Sequence, residues 1–173
     1  ITFNFQSAPG GTMNTFMRRG LLVALFLVLI AGFGCAKTGD GETPSGDLAM
    51  TAEEQQAAMQ ISNGIVYFEY DRYDLKNESK AVLSQKAAVL KQYPQLRVTI
   101  EGHCDERGTE EYNLALGERR ARAAYEYLLN LGVNPNQMEM VSYGKLHPAV
   151  SGYGEASWAK NRRDEFKVSK PRY

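Results

Sequence analysis

Residues 101–123, EGHCDERGTEEYNLALGERRARA, decide the predicted fold because they join a strand end, a charged loop and a long helix. The strand ends near Gly102, and ionisable side chains crowd the loop over residues 103–108. Thr109 is a predicted N-cap, since its hydroxyl can accept a hydrogen bond from a free amide of the first helical turn. The stretch therefore predicts a helix over residues 110–131 that begins beside the charged loop.

The segments around this stretch predict an alternation of strands and helices. Residues 96–101 alternate apolar and polar side chains, which indicates a strand with one buried face. The helical spacing of Leu83, Ala87 and Leu90 predicts a helix over residues 77–92. The remaining predicted elements are strands at 65–70, 138–143 and 165–168 and a short helix at 155–160.

The order β-α-β-α-β-α-β predicts an α+β domain with helices packed on a mixed sheet of about four strands. Helices between successive strands favour some parallel pairing, because parallel neighbours need a crossover connection.

The N-terminal segments predict export of the chain. Residues 1–12 are interpreted as an upstream or non-native extension, and residues 13–34 as a signal peptide with a basic start. The apolar run at 21–30 is short compared with the roughly 20 residues that a membrane-spanning helix needs.

Cys35 and the small residues before it resemble the lipobox of bacterial lipoproteins, although Gly32 stands where that motif usually has Leu. The resemblance implies cleavage before Cys35, lipid attachment (including palmitate) and, with Ala36 next, transfer to the outer membrane. An ordinary cleaved signal or an uncleaved anchor remains the alternative. Residues 35–60 are then a lipidated, flexible tether with a possible short helix over residues 51–60, and the folded domain is expected over residues 61–173.

The balance of charge bears on whether the chain could bind nucleic acid. Lys and Arg total 20, Asp and Glu also total 20, and the formal net charge is zero. Binding to nucleic acid needs a clear basic excess, so this class is disfavoured. The two cysteines, Cys35 and Cys104, are not expected to form a disulfide.

The geometry of the loop and helix suggests a small binding site. Asn113, Leu116 and Arg120 recur at helical spacing and flank the core stripe of the helix. Asp105 on the loop and Arg120 on the helix could bracket a zwitterion, with Arg taking a carboxylate and Asp an ammonium group. A solvated Arg and an Asp that bonds its own backbone remain the alternative.

Four motifs in order resemble the OmpA-like peptidoglycan-binding domain over about residues 61–166. They are VYFEYDRYDL, VTIEGHCDERGTEEYNLALGERRARA, VSYGKLHPAV and KNRR.

The resemblance implies the roles of particular residues. It assigns Asp105 to contact with the diaminopimelate of the stem peptide and Arg120 to its carboxylate. Glu69, Cys104 and Asp164 depart from the residues usual in the family. The other pocket residues that the resemblance implies are Phe68, Glu69, Tyr70, Asn113 and Leu116.

Three polar residues near the C-terminus form part of the KNRR motif. Asn161, Arg162 and Arg163 are expected to shape the domain by bonding backbone carbonyls. A basic surface for the glycan is the alternative.

The resemblance also implies function and partners. Lipidated members of the family bind peptidoglycan without catalysis, tether the outer membrane to the cell wall from its periplasmic face, and bind TolB within the Tol–Pal system. No cofactor is expected.

An enzyme is the competing hypothesis, because His103, Cys104, Asp105 and Glu106 are consecutive. A cell-wall hydrolase or a metal-dependent enzyme could use such residues. Consecutive ligands do not converge easily on one tetrahedral metal, and adjacent residues of an extended chain rarely form a Cys–His pair. The sequence therefore predicts neither catalysis nor a metal at this loop.

Overall fold

The computed structural model describes residues 50–170. The predicted extension at 1–12, the signal peptide at 13–34, Cys35 and most of the tether lie outside the described residues. Among the helices of the described part, none has the length and apolar character that crossing a lipid bilayer requires.

The described residues alternate helices and strands largely as predicted. In chain order they are α1 (Ala52–Ser62), β1 (Val66–Tyr67), α2 (Asn77–Gln92), β2 (Arg97–His103), α3 (Glu110–Asn130), a 3-10 turn (Pro135–Gln137), β3 (Met138–Gly144), α4 (Glu155–Asn161) and β4 (Arg163–Ser169).

The four strands form one mixed sheet in the order β1-β4-β2-β3. β2 and β3 are parallel, whereas β4 runs antiparallel to both β1 and β2. The long helix α3 connects the parallel pair, as a crossover between parallel strands requires. The predicted α+β class with helices on a mixed four-stranded sheet is confirmed.

The hydrophobic core lies between one face of the sheet and the helices. The side chains predicted to face inward from β2 and α2 are at most 2% exposed, which confirms the periodicities of these two elements. They are Leu96, Val98 and Ile100 around β2, and Leu83, Ala87 and Leu90 on α2.

Helix α1 begins upstream of Ile61, in residues that the sequence assigned to the tether with a possible short helix over 51–60. Thr51 caps α1: its hydroxyl accepts a hydrogen bond from the Glu54 amide at 3.2 Å, and the Glu54 carboxylate accepts one from the Thr51 amide at 2.9 Å. Ala57 and Ile61, one turn apart, are buried in the core. Glu54 of the same helix is also buried and accepts hydrogen bonds from Gln95 at 2.8 Å and Lys170 at 3.1 Å. The helix has few large apolar residues, so its composition suggested a tether.

β1 comprises only Val66–Tyr67, although the sequence predicts a strand over residues 65–70. The Phe68 amide still donates to the Arg162 carbonyl at 3.0 Å, but the chain then turns at Asp71, whose φ of 55° is left-handed. The apolar character of the segment reflects the burial of Val66 and Phe68 rather than longer pairing.

Two glycines let α3 lie close against β2. A Cβ atom on Gly102 would come within 2.1 Å of the Gly117 carbonyl oxygen. This contact brings the first turns of α3 beside the loop that follows β2, where the candidate site lies.

Candidate functional site

A cavity of about 150 Å³ opens between the turn after β1, the loop after β2 and the first turns of α3. A space of this size holds several water molecules or the charged end of an amino acid. The side chains that give it its chemistry are Tyr70 and Asp71 on the turn, Asp105 and Arg107 on the loop, and Asn113, Leu116 and Arg120 on α3.

Asp105 is a buried carboxylate held by two arginines. It accepts hydrogen bonds from Nε of Arg107 at 3.1 Å, from the Arg107 amide at 3.2 Å and from Nη1 of Arg162 at 3.3 Å. Burial by itself would raise the pKa of the Asp105 carboxyl, but the hydrogen bonds and charges of Arg107 and Arg162 bring it below its usual value. Asp105 is therefore a fixed negative charge at neutral pH.

The Arg107 guanidinium is close to two aromatic rings. Its guanidinium carbon is 3.9 Å from the Tyr70 ring centroid and 4.0 Å from that of Trp158. Trp158 is fixed in turn by a 2.9 Å hydrogen bond from its indole nitrogen to Glu106. The hydrogen bond to Asp105 raises the pKa of Arg107. This clamp, which the sequence analysis missed, sets the conformation of the loop.

Arg120 is fully buried and binds the walls of the cavity together. Nε donates to the Arg72 carbonyl at 2.9 Å, Nη1 to the His103 carbonyl at 2.8 Å and Nη2 to the Glu69 carbonyl at 3.1 Å. Burial lowers the pKa of Arg120, without removing its charge at neutral pH.

These bonds and a contact with the Cys104 sulfur occupy most of the Arg120 donors. Arg120 therefore does not offer two free parallel N–H groups to a carboxylate. It contributes positive charge to the cavity wall instead.

Asp71 supplies a second carboxylate. Its left-handed conformation places it at the turn after β1, and its side chain accepts a hydrogen bond from the Tyr112 hydroxyl. That hydrogen bond raises the pKa of Tyr112. Asn113 shapes the opposite wall, because its side-chain amide donates to the carbonyls of Arg107 at 2.7 Å and Thr109 at 2.9 Å.

Five of the seven residues predicted for the pocket line this cavity: Asp105, Arg120, Tyr70, Asn113 and Leu116. The other two do not. Phe68 is a core residue whose ring lies 5.1 Å from the Arg120 guanidinium, and the Glu69 carboxylate pairs with Lys76 outside the cavity. Glu69 reaches Arg120 through its backbone carbonyl only, so its departure from the usual Asp leaves that contact intact.

The consecutive residues of the enzyme hypothesis separate in space. Cys104 lines the cavity described above, whereas His103 lines a different cavity on the other side of β2. The Cys104 sulfur donates to the Asn113 carbonyl at 3.3 Å, and burial raises the pKa of its thiol to about 11. A buried neutral thiol that is separated from the adjacent imidazole lacks the activation that a nucleophile needs.

The KNRR motif has the structural role predicted for it. Asn161 exchanges two hydrogen bonds with the backbone of Val150, at 2.9 and 3.0 Å. Arg162 donates to the Phe68 carbonyl at 3.0 Å, and Arg163 to the His147 carbonyl at 3.3 Å. Arg162 also joins the site through Asp105, which the sequence did not predict.

Asp164 on β4 is 0% exposed, and the positive charge of Arg120 acts on its carboxyl group. Neither carboxyl oxygen has a hydrogen-bond partner among the described residues. Burial raises the pKa of Asp164 well above its ordinary value, against the opposing charge of Arg120.

The family comparison agrees with the fold. Residues 67–162 match the model of the OmpA family, which is more than half of the chain. The fold and this match define the class as an OmpA-family protein.

Comparison with individual relatives identifies a narrower group within the OmpA family. The peptidoglycan-associated lipoprotein of Pseudomonas aeruginosa is 43% identical over 167 residues, which cover 87% of this chain and 98% of the relative. That of Haemophilus influenzae is 40% identical over 151 residues, with 87% and 97% covered. The crystal structure of the peptidoglycan-associated lipoprotein from Burkholderia pseudomallei superimposes with a TM-score of 0.62 at 46% identity, covering 64% of this chain and 93% of that one. The chain belongs to the peptidoglycan-associated lipoproteins of the OmpA family.

Proposed function

We propose that this chain is a non-catalytic outer-membrane lipoprotein that binds peptidoglycan through the cavity beside Asp105 and Arg120. The observation that carries the proposal is the charge of that cavity: Asp71 and Asp105 face the same space as Arg107 and Arg120. A group with both an ammonium and a carboxylate can satisfy both signs at once, because charge-assisted hydrogen bonds are the stronger ones.

The end of a diaminopimelate side chain is such a group. Its ammonium is proposed to contact Asp105 and Asp71, and its carboxylate to meet the positive charge of Arg120. The aromatic clamp on Arg107 and the carbonyl contacts of Arg120 keep the charges in place before the ligand arrives. A preformed site avoids the entropy cost of ordering its side chains on binding.

The lipid and the tether are proposed to make weak binding effective. Acyl chains at Cys35 hold the chain in the outer membrane, on the periplasmic face, since each buried methylene adds about 0.8 kcal/mol. Residues between the anchor and α1 let the domain reach the wall at high effective concentration. Mass spectrometry tests this: we expect a mature N-terminus at an acylated Cys35, and an unmodified Cys35 would contradict it.

Sedimentation with purified sacculi tests the binding proposal. The full chain in detergent is expected to sediment, and Asp105→Asn is expected to weaken binding at least about tenfold, the loss typical of one charged hydrogen bond. Glu118→Gln is the matched control, because Glu118 is exposed on the same helix as Arg120 and pairs with Arg122 on the surface of that helix. A folded Asp105→Asn chain that binds like the parent would refute the site.

The same sacculi separate binding from hydrolysis. A binding protein releases no soluble muropeptide from them, whereas a hydrolase does. Release that disappears in Cys104→Ala would favour the enzyme.

TolB and other Tol–Pal components are proposed partners on the strength of the family. Co-purification with TolB from solubilised membranes tests that proposal independently of the sacculi.

A further inference from the structure

A second cluster of polar side chains lies on the face of the sheet that the helices leave open. Glu101 and His103 alternate along β2, so they point to the same face. Glu165 on β4 is the direct cross-strand partner of Glu101. The three side chains line a cavity that Tyr143 and His147 border from the other side.

His103 is the unusual member of this cluster. It is only 2% exposed, yet neither ring nitrogen has a hydrogen-bond partner among the described residues. Its nearest acidic atom is Oε2 of Glu101, 4.0 Å from Nε2. Burial lowers the pKa of His103 to about 4, so the ring is neutral at neutral pH and keeps a lone pair for a ligand. A buried polar side chain without a partner calls for an explanation.

We propose that Glu101, His103 and Glu165 form a binding site for a divalent transition-metal ion of the zinc type. One ligand atom from each residue lies within 4.8 Å of the other two. An ion at the centre of such a triangle is at most about 2.8 Å from each atom, so small side-chain rotations give the 2.0–2.2 Å that zinc prefers. Imidazole with carboxylates suits zinc and its neighbours, whereas magnesium and calcium prefer oxygen alone.

Two basic side chains compete with the ion for Glu165. Nε of Arg163 donates to Oε1 of Glu165 at 2.7 Å, and Lys167 Nζ lies 2.8 Å from Oε2. Arg163 is buried and also donates to a backbone carbonyl, so its side chain is expected to remain beside Glu165 when an ion binds. The Lys167 side chain, by contrast, is 59% exposed. Lys167 can swing into water at little cost, since exposed ion pairs contribute little. The competition predicts that removing Lys167 tightens metal binding.

The ion would join β2 to β4 on the side opposite the ligand cavity. The His103 carbonyl accepts the hydrogen bond from Arg120, so the metal would also brace the strand end that holds the cavity wall. This site uses none of the side chains assigned to peptidoglycan and stands independently of that proposed function.

Titration of the full chain, prepared without a polyhistidine tag, tests the proposal. Zinc chloride is expected to bind once per chain and to raise the melting temperature, because a ligand of the native state stabilises it. Glu165→Gln is expected to weaken zinc at least about tenfold, and Lys167→Gln to strengthen it. Glu118→Gln, remote on α3, is the control and should bind zinc like the parent.

Two spectroscopic readouts identify the ligands. The chain has two histidines, so nitrogen-15 NMR can resolve the His103 ring, whose nitrogen resonance is expected to shift on zinc addition. Cobalt in place of zinc should show no thiolate charge-transfer band, since no cysteine belongs to the site. Unchanged affinity in folded Glu165→Gln, an unmoved His103 resonance, a thiolate band or no binding at millimolar zinc would each overturn the proposal.

Discussion

The Arg107 guanidinium donates to the Asp105 carboxylate, with Nε 3.1 Å from Oδ1, so the acid assigned to the ligand already has a cationic partner. The ammonium of the proposed ligand would therefore meet a carboxylate whose charge is partly balanced but whose orientation is fixed. Asp105 and Arg107 should behave as one unit in binding.

A double-mutant cycle measures that coupling. Asp105→Asn and Arg107→Gln should each weaken sacculus binding, and the double variant should lose less than the sum of the two. Residues in one hydrogen-bonded network typically couple by about 0.5–3 kcal/mol. Additive losses would show that Arg107 acts independently of Asp105.

Lys86 gives the domain a distinctive dependence on pH. Its buried ammonium donates to the Ile61 and Asn63 carbonyls and lies 4.3 Å from the Phe166 ring. Burial lowers its pKa from 10.5 to about 8, so between these values the unfolded chain binds more protons than the folded chain. The free energy of unfolding should therefore rise with pH across this window, by up to about 3 kcal/mol from this residue.

The comparison with Lys86→Met isolates this contribution from other groups that titrate at alkaline pH. Urea unfolding at pH 7.5 and pH 10 should show the parent gaining stability relative to the variant. A difference between the two proteins that stays constant with pH would contradict the account.

The contact between Gly102 and Gly117 should be intolerant of any side chain. Gly102→Ala places a methyl group against the Gly117 carbonyl at 2.1 Å, and backbone cannot move aside cheaply. We expect destabilisation of about 3 kcal/mol or more, the upper range of overpacking.

Gly132→Ala is the control for that substitution. Apart from the adjoining residues, no atom of residues 50–170 lies within 4 Å of the added methyl, so only the strain of a φ of 85° remains, about 1–2 kcal/mol. Equal losses for the two variants in thermal unfolding would contradict the role given to the glycine contact.

Asp164→Asn tests the charge state of the buried Asp164 carboxyl group. If burial keeps the carboxyl neutral, the amide should change stability by less than about 1 kcal/mol at pH 7, which chemical unfolding can measure. If Asp164 were instead ionised and paired with Arg120, its removal would leave a buried charge unpaired, at a cost of about 3–5 kcal/mol.

The sequence predicted the strands and helices whose buried faces give a regular local pattern of apolar residues. The alternation at 96–101 and the helical spacing in 77–92 located both elements, because one buried face imposes a repeating pattern. The stripe of Asn113, Leu116 and Arg120 was also placed correctly beside the loop.

The sequence did not predict contacts between distant segments. The Arg107 guanidinium is close to Tyr70 and Trp158, which come from the turn after β1 and from α4, and no local pattern links them. α1 docks through Ala57 and Ile61 and through contacts of Glu54 with Gln95 and Lys170, which are distant in sequence, so the pattern within α1 gave only a weak signal. The separation of His103 from Cys104 was expected from the sequence, because adjacent residues of an extended chain point to opposite sides.

Calorimetric titration with two muropeptides tests the central claim most directly. One carries diaminopimelate, and the other carries lysine, which has the same ammonium but lacks the second carboxylate. The full chain is expected to bind the diaminopimelate form at least about tenfold more tightly, because only that form meets both signs of charge in the cavity. Equal affinity for the two forms would contradict capture of a doubly charged group between Asp105 and Arg120.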